Sequence, residues 1–278
     1  ECMPDDPHAV SHSLDPKTSA AIIARLEARG QDAVFQSTFR AYFPQLLGCQ
    51  HVLEVGCGTG VIVRALAREA NFNGRITATD QSHAFLEAAE RLAEREGGGD
   101  RITFSLRDAA TDHADLQADG VDAILMHTLL SHTTEPAKVL AAARSVSTPG
   151  HTRLIVMDGD YGSLTYAHGA DPEFGRRMDA ALMRSVFAMP DVVRCLPELL
   201  AQTGWRYTGH SSQCVSEMGG DASYWVSFGE AYVPRLKAAK LFQDEEVDRW
   251  WEAQRSAVER GTFFAACSYY VVDSVAAA

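Results

Sequence analysis

The chain has 278 residues, 46% of them hydrophobic, which is enough for one large α/β domain with a proper core. Its formal net charge of −12 at pH 7 would repel a phosphate backbone, so nucleic acid is an unfavourable partner. The cysteines show no zinc-type spacing, no apolar run reaches the length of a membrane span, and the polar N-terminus is unlike a signal peptide, so we expect a cytoplasmic protein without a metal site.

The N-terminal region is predicted to be a helical cap. Its residue pattern indicates a loose tail and two helices, at 1–16, 17–31 and 32–47. Phe35, Phe39 and Phe43 form one apolar stripe of the second helix, and we expect this stripe to pack on the core. Arg40 and Tyr42 lie off the stripe, where a side chain can reach a bound ligand.

A glycine-rich segment follows the cap. An apolar run leads into Glu54, glycines stand at 56, 58 and 60, and a second apolar run has helical spacing. This pattern predicts a buried strand, a tight turn and a helix, and glycine lets the backbone approach a ligand closely. The segment lacks the lysine of a P-loop, and Val61 stands where a dinucleotide-binding fold needs its third glycine. It therefore predicts a different kind of nucleoside-cofactor site.

Four further strands are predicted between this segment and residue 160, with helices between them. Alternating strands and helices give a parallel sheet, in which ligands bind beyond the carboxyl ends of the strands. Each predicted strand ends at or just before a residue that can bind a ligand. In chain order these residues are Asp80, Asp108, His127 and Asp158. Together with Glu54, they are expected to converge on one site.

The order of these features resembles the class I S-adenosylmethionine (SAM)-dependent methyltransferases. The Glu-x-Gly-x-Gly-x-Gly run at 54–60 resembles their motif I, and His127-Thr128 matches their motif IV. Pro149-Gly150 resembles the turn before their fifth strand. The resemblance covers about residues 50–160 well and 190–273 more loosely. It implies a Rossmann-like, seven-stranded, mostly parallel sheet whose last strand is antiparallel and lies between the fifth and sixth. To this fold the chain is expected to add helical lid insertions.

Two insertions distinguish the chain from the family's usual outline. The expected organisation is a cap at 1–48, a SAM-binding core at 49–160, a helical substrate lid at 161–190, a continuation of the core at 191–216, a second helical insertion at 217–261, and the last strand with a tail at 262–278. The second insertion is rich in aromatic residues. These suit a flat or apolar substrate, the packing of the insertion on the core, or a homodimer face.

The resemblance also implies contacts with the cofactor. The residues concerned are Glu54, Gly56, Cys57, Gly58, Gly60, Asp80, Gln81, Asp108, Ala109 and His127. Glu54 and the glycines would hold the methionine part, and Asp80 would accept hydrogen bonds from the ribose. Asp108 would contact the adenine amino group, and His127 would line the sulfonium end.

Two residues are candidates for catalysis. His132 lies in the loop after the fourth strand, and an imidazole exchanges protons near neutral pH, although a surface or helix-capping role explains it as well. Asp160 can polarise a hydroxyl or an amine, or equally cap the next helix. His168 is not expected to take part. The candidate substrate contacts are Tyr161, Tyr224 and Trp225.

The function that these features favour is SAM-dependent methyl transfer to a small, apolar or aromatic metabolite of natural-product type. The transfer would be an in-line displacement onto oxygen, nitrogen or carbon. One alternative is a cyclase or pericyclase on the same scaffold, which uses the positive charge of SAM without net methylation. Another is a SAM-binding module without catalysis.

Overall fold

The fold is built on one mixed sheet, which a computed structural model describes over residues 6–8, 10–111, 113, 115–116, 120–167, 169 and 171–278. Within these residues the seven strands lie in the order β3-β2-β1-β4-β5-β7-β6. The strands are β1 (His51–Val55), β2 (Arg75–Asp80), β3 (Ile102–Leu106), β4 (Ala123–His127), β5 (Arg153–Tyr166), β6 (Trp205–Met218) and β7 (Phe264–Ala276). The helices are α1 (Pro16–Gln31), α2 (Ala33–Arg40), α3 (Val61–Ala67), α4 (His83–Glu96), α5 (Pro136–Ser145), α6 (Pro172–Val186), α7 (Val192–Gln202), α8 (Tyr224–Ala238) and α9 (Asp244–Glu259).

The pairing of the strands confirms the predicted topology. Strands β3, β2, β1, β4 and β5 are paired in parallel, and β7 runs antiparallel between β5 and β6. The order of the strands reverses between β1 and β4. Crevices at the carboxyl ends of strands beside such a switch point are where open α/β sheets bind ligands.

Side chains on both faces of the sheet are covered by helices. Along β4, Ala123 and Leu125 join the apolar layer that contains α3, whereas Ile124 and Met126 join the layer that contains α5 and α7. This alternation is typical of a parallel strand buried on both faces. It leaves the ends of the strands as the places where polar groups can meet a ligand.

The N-terminal cap is fixed to the core through helix α1. The Asp15 carboxylate accepts hydrogen bonds from the backbone N–H groups of Lys17 and Thr18, at 2.9 and 3.0 Å, and begins the helix. The buried Arg64 guanidinium on α3 binds both carboxylate oxygens of Glu27 on α1, each at 2.7 Å, and also pairs with Glu96 on α4. Because these contacts join three helices, α1 is held close to the glycine turn.

The single helix predicted at 32–47 is shorter in the structure. Helix α2 ends at Arg40, and a 3-10 turn follows at Phe43–Gln45. Pro44 has no N–H group to donate to the Arg40 carbonyl four residues before it, which explains the break. The predicted stripe is nevertheless buried, with Phe35, Phe39 and Phe43 each less than 5% exposed.

Strand β5 is longer than the sequence predicted. It was expected to end at Asp158, but it continues to Tyr166 through an irregularity in its pairing with β7 between Asp160 and Thr165. The extension buries Tyr161, Leu164 and Tyr166. Gly159 and Gly162 have low strand propensity, and pairing with β7 overrides that local preference.

Helices α6, α8 and α9 pack together over the extended end of β5. The Glu217 carboxylate fixes the start of α8, because it accepts hydrogen bonds from the backbone N–H groups of Ser223, Tyr224 and Trp225 at 2.8–3.0 Å. Gly229 allows α8 to approach α9 closely, since a Cβ atom there would lie 2.0 Å from the Trp251 ring. Within the part of the chain that the structure describes, every helix is too short or too polar to cross a membrane.

Candidate active site

The turn after β1 takes the shape that its glycines predict. Gly56 has φ +75°, and a Cβ atom there would lie 2.6 Å from a methyl group of Leu129. Gly60 has φ +73° and precedes the first residue of α3, where a Cβ atom would crowd Phe104 and Ala89. Positive φ strains any residue with a side chain, so both glycines are required by the backbone. Gly60 thus shapes the turn, although it does not line the cavity that lies beyond the carboxyl ends of the strands.

A cavity of about 330 Å³ lies beyond the carboxyl ends of β1 to β4. It brings together nine of the ten residues that the sequence predicted to bind the cofactor. These are Glu54, Gly56, Cys57, Gly58, Asp80, Gln81, Asp108, Ala109 and His127. Thr128 also lines it and has φ +50°, a strained conformation that often marks functional sites.

Four polar atoms of residues that line this cavity lack a hydrogen-bond partner among the described residues. They are Arg29 Nε, Glu54 Oε2, Thr59 Oγ1 and His127 Nε2, and all four are buried. A buried polar atom without a partner costs free energy, so native proteins rarely leave one unpaired. A bound molecule carrying donors, acceptors and positive charge would supply these partners. The residues present therefore fit a polar, cationic nucleoside.

The protonation state of Glu54 depends on whether a positive charge lies beside it. Burial, assisted by the nearby charge of Asp80, raises the pKa of Glu54 to about 8, although the backbone N–H of Val63 opposes the shift. Without a cation beside it, this carboxyl group is therefore mostly protonated at neutral pH. A cation placed beside it would favour the carboxylate, so binding of a cationic molecule is linked to release of a proton.

Asp80 joins the end of β2 to the glycine turn. One of its oxygens accepts a hydrogen bond from the Gly58 N–H at 2.8 Å, and the other accepts from the Ser82 N–H at 2.9 Å. Burial raises its pKa, and these hydrogen bonds oppose the shift. Each carboxylate oxygen retains a further lone pair, so Asp80 can still accept hydrogen bonds from two adjacent hydroxyl groups of a ligand.

His127 at the end of β4 is a neutral group. Burial, followed by the charge of Arg29, lowers its pKa to about 3. Its Nδ1 is 2.8 Å from the Tyr42 hydroxyl, whose own pKa is raised by burial. His127 is thus held in place with Nε2 as its unpartnered atom, and it cannot accept a proton near neutral pH. The sequence indicated Tyr42 only through its position off the phenylalanine stripe.

A second cavity, of about 120 Å³, lies beside the first and has mainly aromatic walls. Its aromatic residues are Tyr161, Phe187, Tyr224, Phe228, Tyr232 and Tyr269. Tyr161 and Phe187 are stacked with their ring centres 3.7 Å apart and a 14° angle between the planes. Arg29 and His132 line both cavities. They therefore mark the boundary across which the two spaces meet.

Besides Gly60 and Asp158, two of the predicted site residues lie outside both cavities. Asp160 forms a two-point ion pair with Arg194, at 3.0 and 3.1 Å, and this pairing occupies its carboxylate away from either cavity. Trp225 is fully buried, and its indole N–H donates to the Val215 carbonyl at 3.1 Å. Its neighbour Tyr224 does line the aromatic cavity, as Tyr161 does. His168 lies outside the described residues.

The expected loose tail contributes to the site. Asp6 is buried, and its Oδ2 is 2.6 Å from Nδ1 of His132. The carbonyl of His8 accepts a hydrogen bond from Gln81 at 3.2 Å, and the His8 ring lies 4.6 Å from the ring of His132. Sequence reasoning missed Asp6, His8 and Arg29, because neither motif nor periodicity distinguishes them from ordinary polar residues.

Comparison with known proteins identifies the core of the chain. A family model described as a methyltransferase domain matches residues 52–150. The chain is 28% identical to an uncharacterised 37.1 kDa protein in transposon Tn4556 of Streptomyces fradiae, over 80% of this chain and 61% of that protein. It is also 28% identical to the ubiquinone biosynthesis O-methyltransferase of Xanthomonas axonopodis pv. citri, over 52% of this chain and 51% of that enzyme. The chain thus spans less than two thirds of the length of either relative.

Solved structures share the fold at low sequence identity. The YcgJ protein from Bacillus subtilis gives a TM-score of 0.59 at 14% identity, over 87% of this chain and 99% of that one. The [4+2]-cyclase SpnF gives 0.52 at 18% identity, over 89% and 85%. At these identities the likeness establishes the fold alone. The methyltransferase domain matched at residues 52–150 supports the class I SAM-dependent methyltransferase family for this part of the chain, with SAM as its cofactor.

Proposed function

We propose that the chain transfers a methyl group from SAM to a small, flat aromatic acceptor. The observation that carries this proposal is the arrangement of the two cavities, which lie side by side and share Arg29 and His132. In-line displacement requires the acceptor atom and the methyl group to be close and aligned before they react. A polar cavity next to an aromatic one suits a nucleoside donor next to an aromatic acceptor.

The polar cavity would hold the cofactor in the order that the family resemblance implies. Glu54 and the glycine turn would face the methionine part, Asp80 with Gln81 would bind the ribose, and Asp108 with Ala109 would bind the adenine. The unpartnered atoms of Glu54 and His127 support this placement. When bound, SAM supplies a methyl group activated by a positively charged sulfur.

The aromatic cavity would hold the acceptor. Stacked rings such as Tyr161 and Phe187 favour a planar guest, because offset stacking adds to the free energy gained by burying apolar surface. Burial raises the pKa of Tyr161, Tyr224 and Tyr269, so their hydroxyls stay protonated and can orient a polar substituent. These walls exclude water, which would otherwise weaken the electrostatic effect of the charged donor.

His132 is the residue best placed to accept a proton from the acceptor. It lies on the boundary of the two cavities, and Asp6 engages its Nδ1, which leaves Nε2 for the acceptor. A positioned base of this kind contributes about 10²–10⁴-fold to the rate of a proton-coupled step.

The test combines binding with product analysis. Calorimetry should show that S-adenosylhomocysteine binds the chain, and mass spectrometry should show that an aromatic compound from a screened panel gains one methyl group. Conversion to a product of unchanged mass would replace methyl transfer by the cyclase alternative. Binding of S-adenosylhomocysteine without conversion of any panel member would favour a binding module. Absence of binding would refute the proposed cofactor site.

A further inference from the structure

We infer that Asp6 is a positioning residue for His132, and that the acceptor atom is therefore the oxygen of an aromatic hydroxyl. This inference rests on the proposed function and extends it to a substrate class. Asp6 lies in a short N-terminal segment, residues 6–8 and 10–14, that we call the strap. Its residues His8, Ser11 and His12 help to line the polar cavity.

The two carboxylate oxygens of Asp6 make different contacts. Oδ1 accepts a hydrogen bond from the His8 backbone N–H at 2.9 Å and shapes the strap. Oδ2 lies 2.6 Å from Nδ1 of His132, and both side chains are nearly buried, with 4% and 11% exposed. A carboxylate can only accept, so Nδ1 carries the proton and Nε2 keeps its lone pair. The pair thus fixes the tautomer that a general base needs.

The other charged and titratable groups near His132 do not take over this role. Asp158 lies within β5 and accepts hydrogen bonds from the Ser131 and Gly159 N–H groups. Among the described residues no hydrogen bond joins it to His132. His8 accepts from Arg25 at 2.9 Å, and burial, followed by the charge of His132, lowers its pKa, so it stays neutral. Arg29 lines the same boundary and brings positive charge.

The chemistry of a hydroxyl matches this arrangement. During transfer the acceptor O–H bond breaks and its proton passes to Nε2 of His132. The freed oxygen electron pair forms the new O–CH₃ bond, while the electrons of the C–S bond remain on sulfur. The imidazolium that results is stabilised by the Asp6 carboxylate. An amine needs no such base, because its lone pair attacks directly and the proton leaves afterwards.

The experiment uses the full chain with Asp6→Asn, Asp6→Ala and Asp6→Glu. Nitrogen NMR spectra of the histidine rings, recorded with S-adenosylhomocysteine bound, should show the Nδ1–H tautomer of His132 in the unmodified protein. Asp6→Asn keeps an oxygen for the His8 N–H but turns an amide donor towards His132. It should therefore shift the tautomer towards Nε2–H while the strap remains in place. The exposed pair His151 and Asp122 serves as an internal reference that should not change.

Turnover is measured with phenol and naphthol and with the matched amines, aniline and naphthylamine. We expect methylation of the hydroxyl compounds only, with kcat about 10–100-fold lower in Asp6→Asn and partly restored in Asp6→Glu. Affinity for S-adenosylhomocysteine should stay within about twofold.

Three results would overturn the inference while leaving the proposed function intact. These are the Nε2–H tautomer of His132 in the unmodified protein, unchanged kcat in Asp6→Asn, or amines methylated as fast as their hydroxyl counterparts. Turnover of none of the four compounds would overturn the hydroxyl assignment, and the spectra would then decide the role of Asp6. Loss of S-adenosylhomocysteine binding in the unmodified protein would instead be a failure of the proposed function.

Discussion

The polar cavity and the aromatic cavity are built in different ways. The polar cavity is formed largely by residues at the ends of consecutive parallel strands, where backbone pairing sets each position. The aromatic cavity is assembled from α1, β5, the residue after α6, α8 and β7, which are far apart in the chain. A sheet edge tolerates little change in its geometry. Helices packed on that edge can be replaced more freely, so one cofactor site can serve different acceptors.

The two regions also differ in the charged groups that they contain. In the polar cavity, burial raises the pKa of Glu54 and Asp80, so the site gains from a cationic ligand. At the border of the aromatic cavity, Arg25 and Arg29 lie over the rings of Tyr232 and Phe35, at 4.8 and 4.5 Å. The difference indicates that mutations in one region should affect cofactor binding and mutations in the other should affect turnover.

His132→Ala should have the largest effect and should separate the two regions most clearly. Loss of the base is expected to lower turnover about 10²–10⁴-fold, because the proton of the acceptor then has no positioned recipient. Calorimetric affinity for S-adenosylhomocysteine should be unchanged. The control is His151→Ala, since His151 also pairs with an aspartate but is exposed in the turn before β5. Equal turnover in the two variants would make His132 a bystander.

Asp80→Ala tests the polar cavity alone. Its removal leaves the N–H groups of Gly58 and Ser82, and the ligand hydroxyls, without an acceptor. We expect SAM affinity to fall by about 1–3 kcal/mol, or roughly 5- to 150-fold, in titration calorimetry. Asp122→Ala is the matched control, because Asp122 accepts from two backbone N–H groups at the opposite end of the sheet. Unchanged affinity in Asp80→Ala would rule out the proposal that Asp80 binds the ribose of the cofactor.

The different construction of the two cavities explains which parts of the fold and of the site could be predicted from the sequence. The sheet and the polar cavity follow from local signals, since glycine spacing and acids at the ends of apolar runs report directly on backbone shape. The pairing of Asp6 with His132 joins residues 126 positions apart, and no local pattern encodes it. Asp160 was predicted as catalytic because its partner Arg194, 34 positions later, could not be foreseen. Tyr224 and Trp225 look alike in sequence, and only the packing of α8 gives them different surroundings.

The pH dependence of cofactor binding tests Glu54. Its pKa of about 8 without a ligand means that a cationic ligand must displace a proton at lower pH. SAM affinity should therefore rise between pH 6 and pH 7, by at most about tenfold, as the proton becomes easier to release. Calorimetry in buffers of different ionisation enthalpy should detect the released proton. An affinity that is flat or falls over this range would contradict the role of Glu54.

Glu54→Gln is the matched variant, since it keeps the shape of the side chain and cannot ionise. It should remove this pH dependence and weaken SAM binding. The ligand-free variant should also lose less stability than the unmodified protein as the pH rises from 5 to 9. The sign follows from the raised pKa, because the folded state then holds the proton more tightly than the unfolded chain, and stability falls between about pH 4.5 and 8.

Gly229→Ala should have the smallest effect and should be confined to the aromatic side. An added Cβ would lie 2.0 Å from the rigid indole ring of Trp251, so α8 and α9 must separate. Overpacking of this kind costs about 1–3 kcal/mol, which should lower Tm by several degrees and raise the KM for the acceptor. Gly209→Ala is the control, because a methyl group there meets nothing within 4 Å. Gly229→Ala could instead weaken S-adenosylhomocysteine binding as much as Asp80→Ala does. The two cavities would then be coupled through the sheet, and the division between a fixed cofactor edge and a replaceable acceptor lid would be wrong.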